Sequence, residues 1–237
     1  MKNWYQLTES ETLDKLGVTS EGLSSQQADS LLEKHGKNVL EESKKKSVFQ
    51  VFLSQFADLM VIILIIAAIV SMFSGSVEST IVIFAVITLN AILGTVQHVK
   101  AEKSLESLKS LSSPSAKVIR DGRKIEIDSE NIVPGDIVVL EAGDLVVADG
   151  RIINNYSLQV NESSLTGEST NIDKSVETIE KEVPLADRTD MVFSGSLVTY
   201  GRAIVVVTET GMNTEIGKIA TLMNLSLIHI SEPTRPY

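Results

Sequence analysis

Hydrophobic positions change their spacing along this chain, and each change marks a boundary. Over residues 1–47 they recur at helical intervals between charged residues. Thr8 followed by Glu11 forms a capping-box pattern, Leu13 and Leu16 supply an apolar face, and Gly17 ends the predicted helix. Ser24 with Gln27 repeats the pattern; Ala28, Leu31, Leu32 and His35 share a face, and Gly36 terminates it. No second histidine or cysteine sits near His35, so it reads as a helix-end residue close to the C-terminal dipole.

The spacing is then lost in nearly continuous apolar sequence. VFQVFLSQFADLMVIILIIAAIVSMF is uncharged from Leu59 to Phe73, and after the loop SGSVES the chain from Thr80 to Val99 is uncharged apart from His98. A bilayer needs about 20 apolar residues of helix, so one transmembrane helix is expected over 48–74 and a second over 78–112. Asp58 then falls inside or at the interface, either as an ion-path residue or as a solvated helix-end acid. Two buried helices of a soluble protein are the alternative, disfavoured because helices apolar on every face are uncommon outside membranes. Lys44, Lys45 and Lys46 precede the first span, Lys100, Lys103 and Lys109 follow the second, and Glu78 lies in the connecting loop. The lysine bias places both termini in the cytoplasm of a multi-pass cell-membrane protein. VKAEKSLESLKSL keeps Leu105, Leu108 and Leu111 in helical register with no breaker before Pro114, which predicts a cytoplasmic stalk or, alternatively, an amphipathic helix on the lipid surface.

From Ser115 the period becomes two. AKVIRDGRKIEID reads as a hairpin turning at Asp121-Gly122, and DIVVLE, LVVADGRII, SLQV and LVTYGRAIVVVTET read as further strands separated by turn pairs such as Pro134-Gly135 and Ala142-Gly143. A mostly-β domain is expected over 113–212. NTEIGKIATLMN returns to helical spacing through Ile216, Ile219, Ala220 and Met223, so a stalk helix is expected to start over 213–224, capped by Asn213 or Thr214. The fold class is thus a membrane protein with N-terminal helices, a transmembrane helical hairpin and then a mostly-β domain.

Composition narrows the chemistry. A formal net charge of −10, from 31 acidic and 21 basic residues, repels phosphate backbones and argues against nucleic acid as a partner. The absence of cysteine excludes disulfides and thiolate metal sites, and 43% hydrophobic residues suffice for a core. No GxxxxGK[ST] phosphate loop occurs. Between two apolar strands, however, lies NESSLTGEST, Asn161 to Thr170. A loop carboxylate such as Glu168 is equipped to orient and deprotonate a water, Gly167 permits close backbone approach to a phosphoryl group, and the hydroxyls of Thr166 and Ser169 can fix the loop or donate to phosphate oxygens. A plain solvated turn is the competing reading. Asn161-Glu162-Ser163 also fits a glycosylation acceptor, discounted because it falls on the expected cytoplasmic side.

The order of charged helical N-terminus, two-span hairpin, VPGDIVVLEAGDLVVADGRII, NESSLTGES and VFSGSLVTYGRAIVVVTETGMNTEIGKIA resembles the beginning of a P-type cation-transporting ATPase, most closely the calcium-pump branch, from about Tyr5 to Asn224. The resemblance implies that 113–212 is an actuator domain and that TGES is the loop acting in dephosphorylation. Glu168 would position and activate the hydrolytic water, Thr166 and Gly167 would shape the approach, and Ser169 would support them. It also implies that the complete parent uses ATP and Mg2+, with a lipid bilayer, a transported cation (calcium preferred; sodium, potassium, proton and manganese open) and the phosphorylation and nucleotide-binding domains of the same chain as partners. The family's phosphorylated segment, Asp-Lys-Thr-Gly-Thr, occurs nowhere in these 237 residues. No cofactor or metal site is therefore expected here, and the fragment alone is expected to be inactive. LSLIHISEPTRPY resembles a translated transposase adapter, so 225–237 is expected to be a non-native tail, with a break in helical spacing at Asn224. A natural short tail is the alternative. The competing function is a membrane-anchored β module that binds or regulates a partner without catalysis.

Overall fold

The computed structural model describes residues 3–40, 47–75, 77–111 and 114–230, with no side-chain detail at 106, 108–111 and 224–230. Lys44, Lys45 and Lys46 lie outside the described residues, and so do the side chains of Leu108, Lys109 and Leu111. The chain divides into two compact units, one of residues 1–41 with 114–237 and one of residues 42–113.

In the first unit, local capping sets the helices. In α1 (Glu9–Leu16) the Thr8 N–H donates to Glu11 Oε2 at 2.8 Å while Glu11 N–H donates to Thr8 Oγ1 at 3.3 Å, and Gly17 ends the helix at φ 69°. In α2 (Ser25–His35) Ser24 and Gln27 make the same reciprocal pair. Between them the chain docks on the β domain: Val18, Leu23 and Ala28 bury against Val133. Leu23 and Glu21 carbonyls accept from Asp121 and Gly122 N–H, each at 3.0 Å. Ser25 donates from its N–H and Oγ to Asp121 Oδ2, and these bonds hold the Asp121 carboxyl below the usual carboxylate range.

The β domain is a seven-stranded sheet in the order β2-β1-β3-β7-β4-β5, with β6 paired to β4 and every pairing antiparallel. Its strands are β1 (Ser115–Arg120), β2 (Arg123–Asp128), β3 (Ile137–Glu141), β4 (Asp149–Asn161), β5 (Asn171–Asp173), β6 (Met191–Val192) and β7 (Leu197–Glu209). The expected hairpin forms, with Asp121 at φ 51° and Gly122 at φ 69° in the left-handed pair that matches strand twist. Val118, Ile132, Ile152, Leu158 and Val160 are fully buried at the centre of the core. LVVADGRII and SLQV are not separate strands: Asp149–Asn161 runs on as β4, and Leu145–Ala148 precede it. Register shifts against β7 absorb the intervening polar residues, where Ser157 takes φ 53°. The last helix, α7 (Glu215–Ile230), is capped by Thr214, whose Oγ1 accepts from Gly217 N–H at 3.1 Å. It continues past Asn224, where a break was expected, because LSLIHI holds neither glycine nor proline and the next proline is Pro233.

In the second unit the single helix expected over 48–74 is two. α3 (Val48–Ser54) passes through a 3-10 turn at Gln55–Ala57, and α4 (Leu59–Phe73) sets off at 67° to it. Asp58 is extended at φ −69°, ψ 137°, and its Oδ1 accepts from Met60 N–H at 2.8 Å, so this acid caps α4. α5 (Val77–Leu111) is continuous for 35 residues, as the lack of a breaker predicts, and Val77–Leu105 is long and apolar enough to cross a membrane. Ala68 of α4 and Ile87 and Ala91 of α5 are buried, whereas Leu59, Met60, Val70, Phe73, Val77 and Leu89 turn outward with more than half of their surface exposed.

Candidate active-site loop

The loop is built on the end of β4. Glu162 follows Asn161 directly, and its carbonyl accepts from Leu165 and Thr166 N–H, both at 2.9 Å, folding Ser163–Thr166 into the single turn α6. Thr166 Oγ1 donates to the same carbonyl at 3.1 Å and accepts from Glu168 N–H at 3.3 Å. Of the two roles open to this hydroxyl, fixing the loop is the one observed. Gly167 reverses the chain at φ 78°, a left-handed conformation costly for any residue with a Cβ. Asn161 ties the ends together: its Oδ1 accepts from Ser163 N–H and Oγ, and its Nδ2 donates to the Ser169 carbonyl at 3.2 Å. Ser164 Oγ adds a bond to the Gly195 carbonyl at 3.0 Å. Gly167, Glu168, Ser169 and Thr170 project into solvent, and the Glu168 carboxylate has no hydrogen-bond or ion-pair partner among the described residues. All four predicted site residues thus share one rigidified turn, with the acid presented outward.

Beneath this turn lies a set of buried charges that pattern reading missed. Glu162 Oε1 and Lys174 Nζ are 2.5 Å apart with both side chains fully buried, an ion pair off ideal hydrogen-bond angle, and the ammonium sits 5.5 Å from the centre of the Phe193 ring. Burial pushes Glu162 up and Lys174 down, each opposed by the partner's charge. Arg151, also fully buried, pairs with Asp190 Oδ2 at 3.1 Å and donates to the carbonyls of Leu7, Ile152, Asp190 and Val176 and to Thr178 Oγ1. Burial raises the Asp190 carboxyl to about 6 despite Arg151. No sequence pattern signals Lys174: its N–H donates to the Leu158 carbonyl, continuing the alternation that turns Val160 and Leu158 inward, and only this register buries the lysine and so requires a buried anion.

The comparison with known proteins agrees with this geometry. The sequence pattern of the P-type ATPase actuator domain matches residues 110–224, and that of the cation transporter/ATPase N-terminus matches residues 4–71. The chain belongs to the P-type ATPases. A calcium-transporting ATPase of Listeria monocytogenes is 48% identical over 219 residues, 92% of this chain and 25% of the relative. Calcium-transporting ATPase 1 of Bacillus cereus is 44% identical over 231 residues, 94% of this chain and 26% of the relative. The cation-transporting ATPase pma1 of Synechocystis is 39% identical, again over 94% of this chain and 24% of its own length. The P-type ATPase chain described here therefore spans about a quarter of the length of the curated relatives it matches. Its sheet is the actuator domain, and Thr166-Gly167-Glu168-Ser169 is an exposed turn of that domain.

Proposed function

We propose that this chain acts as the N-terminal and actuator portion of an ATP-driven pump that transports calcium, and that Glu168 serves the hydrolysis of an aspartyl phosphate formed on another segment of the complete pump. The observation that carries the reading is the Glu168 turn itself: a carboxylate without an internal partner, held outward by Thr166, Gly167 and Asn161. On docking, the Glu168 carboxylate orients a water and takes its proton as the water oxygen attacks phosphorus. The acyl oxygen–phosphorus bond breaks, leaving the aspartate carboxylate and inorganic phosphate. Gly167, with no side chain, lets the backbone approach the phosphoryl group, and positioning supplies most of the rate. Ser169 supports the turn through its carbonyl bond to Asn161.

Among the described residues no cluster of three or more His, Cys, Asp or Glu side chains could hold a metal ion, and the turn carries a single carboxylate. ATP and Mg2+ are assigned to other segments of the complete pump, because Asp-Lys-Thr-Gly-Thr and a GxxxxGK[ST] loop do not occur in this sequence. Calcium is chosen because the Listeria and Bacillus relatives are named calcium-transporting ATPases. A lipid bilayer is the partner of the second unit, whose outward apolar side chains suit hydrocarbon, with α3 and α4 together as one bent crossing and α5 as the other. We place both ends of this portion on the cytoplasmic side from the lysine bias.

The test is Glu168→Ala in the complete pump. Phosphoenzyme should form from ATP at the normal level and then decay at least a hundredfold more slowly; decay at the wild-type rate refutes the role of Glu168.

A further inference from the structure

We infer that Glu162 and Lys174 form a buried clasp that holds the Glu168 turn in its reactive position, making both of them positioning residues for phosphoenzyme hydrolysis. This inference rests on the reading of Glu168 given above. The ladder beneath the turn is short: β5 pairs with β4 only through Gln159↔Asp173, Val160↔Ile172 and Asn161↔Asn171. β5 is also the outer strand of the sheet, and three residues at an edge make a weak anchor for the segment between Asn161 and Asn171. Asn161 and Ser164 tie the segment at its exposed side, and a buried contact ties it from within.

Glu162 and Lys174 flank it. Glu162 is the residue from which α6 hangs, since its carbonyl receives Leu165 N–H, Thr166 N–H and Thr166 Oγ1. Lys174 is fastened to the sheet on the far side, donating its N–H to the Leu158 carbonyl and accepting at its own carbonyl from Asn155 Nδ2. Their side chains then meet beneath the turn at 2.5 Å, fully buried. The pair closes the loop independently of the strand ladder. Phe193 packs under the Lys174 ammonium and Asp190 contributes a second negative charge to its surroundings, so the lysine head has one defined seat. An apolar pair would fill this space without desolvating two charges, and retention of a buried ion pair is best rationalised where it enforces one arrangement over others. The arrangement enforced here is the angle at which α6, and hence Glu168, leaves the sheet.

The complete pump carrying Glu162→Met and Lys174→Met together tests this, because single variants leave an uncompensated buried charge and can unfold the lobe. Phosphoenzyme formation and the KM for ATP should stay at wild-type values while phosphoenzyme decay slows at least fivefold. Amide exchange at Gly167, Glu168 and Ser169 should rise at least tenfold, with β4 and β7 as protected as before. Wild-type decay in this double variant, in a pump where Glu168→Ala is slow, overturns the positioning role; unchanged exchange at the turn overturns the clasp itself. If Glu168→Ala decays normally, the catalytic reading fails instead, and turn exchange in the double variant still decides the clasp.

Discussion

Asp149 shows how one side chain can set the joint between a sheet and the helix leaving it. Its Oδ1 accepts from Ser194 N–H and its Oδ2 from Glu215 N–H, both at 2.8 Å, so a single carboxylate holds the turn before β7 and the first turn of α7. Burial, with the Glu215 charge adding to it, raises this carboxyl from 3.8 to about 6 in spite of those two bonds. The folded state therefore keeps a proton that the unfolded chain has lost. The resulting stability is fully present below about 3.8 and is lost as pH rises through about 6. At about 1.4 kcal/mol per pKa unit the loss amounts to up to about 3 kcal/mol. Asp190, raised to about 6 as well, contributes a parallel loss. Urea unfolding of the first unit between pH 4 and pH 7 should show stability falling as pH rises, and Asp149→Asn should make that fall shallower; an unaltered slope would acquit Asp149. Neither shift was legible in the sequence, where both aspartates look like ordinary turn residues. Thr166, Gly167, Glu168 and Ser169 were singled out by the resemblance of NESSLTGES to the P-type ATPase loop, since by residue type alone they read equally well as a solvated turn. Glu162 and Lys174 were not, since their pairing depends on which face of the β4–β5 ladder each residue occupies.

Among elements, those with a capping, turn or alternation signal were readable, β3 and β7 included, whereas a break inside an apolar run and a join between two strand runs were not. Thr8 with Glu11, Ser24 with Gln27, and Asp121-Gly122 each bond within four residues, and each element formed where the pattern placed it. The bend at Asp58 needed one backbone torsion that hydropathy does not report. The union of SLQV with the preceding strand needed Gly201 opposite Ser157 on β7: a Cβ there would lie 2.2 Å from the Ser157 carbonyl oxygen, so only glycine permits the close approach that keeps β4 paired. Gly22 has a similar role between elements. At φ 83°, its Cβ would lie 1.9 Å from the Ile119 carbonyl oxygen of β1, a backbone atom fixed by pairing on both sides. Gly22→Ala should cost about 2–4 kcal/mol. It should also undock α1 and α2, raising amide exchange across 24–36 while β3 and β7 stay protected. Equal protection of α2 in both proteins would show that this contact does not hold the helices.

At the scale of the molecule, the first unit is discontinuous in sequence, assembled from residues on either side of the apolar hairpin. Helical periodicity in the first forty residues could not reveal this, because the partners of Tyr5, Val18 and Leu23 lie more than a hundred residues onward: Met191 and Phe193 for Tyr5, Val133 for the other two. The polar contacts say the same, since Arg151 reaches the Leu7 carbonyl and Trp4 Nε1 donates to Glu209 at 2.9 Å. Joining residues 1–41 to 114–224 through a flexible linker of roughly 20 residues spans about 25 Å on average and removes every outward apolar side chain of α4 and α5. That protein should be monomeric without detergent and unfold in one cooperative transition, because its buried clusters are retained whole. Residues 114–224 alone should fare much worse. Burial of a large apolar side chain is worth about 1.5–3 kcal/mol, so losing Tyr5, Leu7, Val18 and Leu23 forfeits on the order of 6–12 kcal/mol, comparable to the whole stability of a domain. Thermal melts of the two proteins side by side decide the matter. A β portion that melts as high without its N-terminal helices as with them would mean that the helices decorate the actuator domain without stabilising it.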